Sequence, residues 1–61
     1  MTSYSCTYEL RDGDAVVSTG RLLLERQPAV GEQLQLGEAS ARIEDVLASG
    51  MHELRLVLRV L

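Results

Sequence analysis

This 61-residue chain contains no tryptophan, phenylalanine, lysine or asparagine. Its only aromatic residues are two tyrosines, Tyr4 and Tyr8. Without further aromatics a base-stacking platform for single-stranded nucleic acid is thin. One cysteine, Cys6, rules out an internal disulfide, the usual staple of small secreted domains. One histidine and one cysteine do not make a structural zinc set. The five glycines are scattered singly, so no phosphate-cradling loop is present. The longest apolar stretch, 54–61, is interrupted by Arg55 and Arg59 and is far too short to span a membrane. Met1–Leu10 has neither a basic start nor an apolar run, so no secretory leader is expected and a cytoplasmic setting is.

What is present reads as one small domain over residues 1–61. The length excludes a doubly wound nucleotide-binding fold and a (β/α) barrel. Hydrophobic residues make up 46% and charged residues 25%, a globular balance. Nine acidic residues stand against six basic ones, a net charge of −3 that disfavours phosphate-rich partners. All six bases are arginine, which points to GC-rich coding and so to a bacterial or phage source.

Alternation of apolar and polar residues supplies the secondary structure. Tyr4, Cys6, Tyr8 and Leu10 share one face of a strand. Asp12-Gly13 is a strong hairpin signal and sets Leu10 against Ala15, Tyr8 against Val17 and Cys6 against Thr19. The second strand, about Ala15–Glu25, changes phase between Val17 and Leu22, which places a bulge at Gly20–Arg21. Arg26–Glu32 is the longest loop, Gln33–Leu36 a third strand and Gly37-Glu38 a turn. Residues 39–49 carry Ile43, Val46 and Leu47 at helical spacing, which leaves an α+β alternative. The strand reading puts the turn at Ser49-Gly50, sets Ile43 against Leu56 and Glu44 against Arg55, and leaves Asp45 on the apolar face. Leu54, Leu56, Leu58 and Val60 line one face of the last strand.

These readings add up to an all-β fold, a small five-stranded antiparallel barrel. Pro28–Gly37 followed by Ala41–Val46 resembles a pattern common in SH3-like barrels: a Gly-acid pair enters a short strand, a Gly turn follows, and a strand ending in valine returns. The likeness covers about a third of the chain and implies a fold, not a chemistry.

No residue set suggests catalysis. His52 in a turn reads as solvated, Cys6 as packing, and the Asp12-Gly13-Asp14 carboxylates as turn residues short of a calcium loop. No enzyme activity, cofactor, metal or membrane association is expected. The outer apolar residues are more informative. Leu23, Val16, Val57 and Leu61 cannot all enter the core, and exposed aliphatics near a sheet edge mark a pairing surface. The expected function is a non-catalytic interaction module, an accessory, adaptor or inhibitor. It binds a protein partner or itself, as a homodimer, through Leu23, Val57, Arg59 and Leu61. The alternative is nucleic-acid binding by a Sm-like or SH3-like barrel through Arg42, Arg55 and Arg59.

Overall fold

The computed structural model describes residues 3–61. It contains five strands and, among the described residues, no helix. They are β1 (Tyr4–Asp12), β2 (Ala15–Leu24), β3 (Gln33–Leu36), β4 (Ala39–Gly50) and β5 (Glu53–Val60). All lie in one sheet of order β2-β1-β5-β4-β3, curled into a half-barrel. The all-β reading holds, and residues 39–49 are strand. Neighbouring pairs are antiparallel except β1 and β5, which run parallel, so the sheet is mixed rather than wholly antiparallel.

The parallel pair brings the two most regular apolar stripes together. Cys6 lies beside Leu54, Tyr8 beside Leu56 and Leu10 beside Leu58. With Ala41 and Ile43 of β4, these residues except Tyr8 are the buried core. Tyr4, Tyr8, Leu22, Leu24, Leu34, Leu36, Val46 and Val60 pack around it, only partly covered. Among the described residues no polar or charged side chain is buried.

The first hairpin turns one residue later than the Asp12-Gly13 pattern predicts. The loop is Gly13–Asp14, with Asp12 opposite Ala15. Gly13 has φ 62° and Asp14 is not left-handed, the pattern of a type II′ loop rather than type I′. The phase change comes earlier than expected. Arg11 pairs with Val16 and Leu10 with Ser18, so Val17 is the extra residue of a bulge. Beyond it Cys6 faces Leu22 and Tyr4 faces Leu24, apolar against apolar, where the expected register had put Thr19 opposite Cys6. Gly20 has a different task from the one expected: it faces Tyr8, and a Cβ there would lie 2.7 Å from the Tyr8 hydroxyl.

β4 carries two bulges. Ile43 pairs with Leu58 and Asp45 with Val57, leaving Glu44 extra, and Ser49 is extra between Ala48 and Gly50. The first bulge explains the helix-like spacing of Ile43 and Val46. One inserted residue puts positions three apart on the same face, Val46 against Leu56, and turns Asp45 outward. The Asp45 Oδ1 accepts the Val46 N–H at 2.9 Å. The β4–β5 turn is Met51–His52, not Ser49-Gly50, and Glu44 pairs with Arg59 at 3.1 Å rather than with Arg55.

The 25–32 loop carries the chain from one sheet edge to the other. Glu32 braces it: one carboxylate oxygen accepts from Arg26 at 2.7 Å and the other from the Ala29 N–H at 2.8 Å. Gly31 N–H donates to Ile43 O and Ile43 N–H to Glu32 O, both at 2.8 Å, so the loop continues the β3–β4 pairing.

Candidate interaction surface

An open sheet leaves two edge strands, and their chemistry differs. β3 is four residues long, with Gln33 and Gln35 outward. Gln35 accepts from the Ser40 hydroxyl and donates to Gly37 O, both at 2.9 Å, which surrounds that edge with satisfied polar groups. β2 is ten residues long, has no proline, and carries one charge, Arg21. Its Val16, Val17 and Leu23 are 50%, 55% and 77% exposed. A long, largely aliphatic edge with no proline and a single charge is a ready template for another strand.

The expected partner-binding residues separate in the fold. Val57 and Arg59 follow one another along the outer side of β5, and Leu61 comes just past its end, Val57 half-buried and the other two exposed. Leu23 lies two strands away at the opposite end of the sheet, where its row runs through Ser5 to Glu53. Two surfaces therefore exist, a central strip on β5 and the β2 edge. Beside Leu23 and Leu24 a cleft of about 530 Å³ opens toward Pro28, Glu32, Gln33 and Leu34, in the gap between the two sheet edges.

Five of the six arginines form two groups on the outer face. Arg59 pairs across the sheet with Arg42 on one side and Arg11 on the other, three like charges in one row. Glu9 relieves Arg11, accepting from its Nε at 2.7 Å, and Glu44 relieves Arg59. Arg55 is in a second row with Thr7 and Arg21, and shallow grooves open around these residues. Arg42 and Arg59 are thus adjacent, with Arg55 on the far side of Val57.

Cys6 and His52 occupy different settings. Cys6 is buried, donates weakly to Tyr4 O at 3.8 Å, and burial pushes its thiol pKa up. That is the reverse of what a reactive thiolate needs. His52 is exposed in its turn at φ 59°, its ring edge-on to Tyr4 with centroids 5.8 Å apart. Neither lines the cleft between the edges nor the shallow outer grooves. No group of His, Cys, Asp and Glu among the described residues could hold a metal ion, and no helix is long and apolar enough to cross a membrane.

Val16, Val17 and Arg21 were not all legible as surface partners beforehand. Their importance depends on β2 being an edge, which only strand order reveals. No family model, curated protein or solved structure matches this chain.

Proposed function

We propose that this protein is a non-catalytic interaction module, an accessory, adaptor or inhibitor of bacterial or phage origin that binds a protein partner or itself through its sheet. The observation that carries this reading is the β2 edge, long, largely aliphatic and with a single charge, beside a cleft in an otherwise filled half-barrel. Added strands gain affinity from main-chain hydrogen bonds and specificity from alternate side-chain positions. The strip of Val57, Arg59 and Leu61 supplies a second contact on the outer face. A cytoplasmic setting agrees with the single cysteine, a buried free thiol.

The test is site-specific photocrosslinking with a reactive side chain at position 23, 57 or 61 of the full chain in its host. A discrete crosslinked product from position 23, and from 57 or 61 if the strip takes part, is the expected result, and its mass identifies self or partner. The absence of any discrete product at all three positions removes the reading.

The row of Arg11, Arg59 and Arg42 favours one alternative, nucleic-acid binding through Arg42, Arg55 and Arg59. Electrostatic binding to a phosphate backbone falls steeply with salt. Binding of RNA or DNA at low ionic strength that Arg42→Ala weakens supports this alternative, and its absence there eliminates it.

A further inference from the structure

We infer that two copies of this chain join edge to edge, their β2 strands pairing antiparallel about a two-fold axis through Leu23. The inference rests on the interaction-module reading and names its partner and register.

The backbone decides which groups are on offer. Ser5 donates its N–H to His52 O at 2.9 Å, so its polar groups face β5. Its cross-strand partner in β2 is Leu23. Polar backbone groups alternate in direction along a strand, so Ser5 and Leu23 form a non-hydrogen-bonded pair. The N–H and C=O of Leu23, and those of Arg21 two residues earlier, therefore point away from β1 at the open edge. A second copy centred on Leu23 meets them as a hydrogen-bonded pair, Leu23 against Leu23.

The side chains choose the register. In an antiparallel two-fold pair, residues equally far from the axis on opposite sides face one another. Centred on Arg21, the pairing sets that guanidinium against its own copy. Centred on Leu22, Gly20, Thr19 or Ser18, it sets Arg21 against Leu23, Thr19, Val17 or Ala15, none of them an acid. Centred on Leu23, it sets Leu22 against Leu24 and brings Arg21 beside Glu25 of the other copy, the first residue past the end of β2, twice. Within one copy neither Arg21 nor Glu25 takes part in an ion pair among the described residues. This register also lets Leu23, the most exposed aliphatic side chain of any strand, cover itself. Leu22 and Leu24 then extend the inner apolar face across the junction. The product is one continuous sheet made from two five-stranded halves.

Sedimentation velocity of the full chain across micromolar concentrations tests this, with circular dichroism confirming the fold of each variant. The wild-type chain is expected to dimerise. Arg21→Glu and Glu25→Arg each weaken the dimer by about tenfold, and the double swap restores it, because only paired charges recover when exchanged. Leu23→Pro removes an N–H that points outward, so it abolishes the dimer and keeps the fold. Backbone amide exchange at Leu23 slows as concentration rises. A chain that stays monomeric overturns the inference, as does a dimer that Arg21→Glu leaves intact or that the double swap fails to restore. Those results leave the broader reading standing if position 23 or 57 crosslinks to a different protein, and that reading falls separately if no position crosslinks.

Discussion

The centre and the rim of this sheet obey different rules. Every residue of the buried core belongs to β1, β4 or β5, and β2 and β3 add only half-covered side chains. The centre is fixed by burial, since each side chain there is enclosed by neighbouring strands and by the curl of the sheet. The rim is held by one neighbour only, and its two sides have diverged. β3 is short and closed off by glutamine, serine and the Glu32 brace, whereas β2 keeps an aliphatic edge facing outward. A domain this small has little stability to spare, so an edge with a single charge and exposed aliphatics is a feature to be explained by what it contacts.

The sharpest way to break this contrast is a pair of truncations. Leu56→Ala, at a fully buried central position, is expected to cost about 3 kcal/mol or more, enough to unfold much of the population. Leu34→Ala on the β3 rim is expected to cost about 1 kcal/mol, because that side chain is only partly buried. Urea midpoints measure both, and equal losses would show that centre and rim are one packing unit.

Next in size is the join between β1 and β2. Gly20→Val drives a side chain into the Tyr8 ring and is expected to destabilise by about 2 kcal/mol. Adding Tyr8→Leu should recover part of the loss, and a purely additive double mutant would show that the glycine serves the backbone rather than the ring.

Cys6 probes the centre without changing it. Burial raises its pKa above the ordinary 9.0, so the folded state favours the neutral thiol. The sign follows: the stabilisation is fully present below that ordinary value and declines as pH rises past it toward the folded pKa. Alkylation by iodoacetamide should follow the rate or extent of opening. Labelling at the rate of a free thiol under native conditions would place Cys6 at the rim instead.

The smallest effect is expected on the outer face. Glu44→Gln removes the carboxylate beside Arg59 and should cost under about 0.5 kcal/mol, fading with salt, since both side chains are well exposed. A larger loss would mean that the row of three arginines stores real repulsion.

Much of the fold was legible because period-two alternation reports burial directly. The Tyr4–Leu10 and Leu54–Val60 stripes, the Gln33–Leu36 strand and the Gly37-Glu38 turn lie where their residues put them. Apart from the parallel run of β1 against β5, the differences are of register. A bulge changes phase without a dedicated residue type, so the pattern points to Gly20 although the bulge is at Val17, and the Glu44 bulge gives a strand helical spacing. The first hairpin turn lies one residue later than its pattern indicates and the second two residues later, and Arg59 replaces Arg55 as the partner of Glu44. Leu23 and Val57 could be recognised as surplus to the core, but not as members of separate surfaces.

The amino-acid order by itself determined that the chain is β-structured, which side chains are apolar enough to be buried, and that too many aliphatics exist for one small interior. These follow from local stereochemistry and transfer free energy, which each segment carries with it. Only the tertiary structure decided that β1 and β5 run parallel at the centre and that β2 is an edge with Leu23 facing outward. Strand order is a contest between alternative pairings, and it is won by the summed packing of residues that lie far apart in the chain.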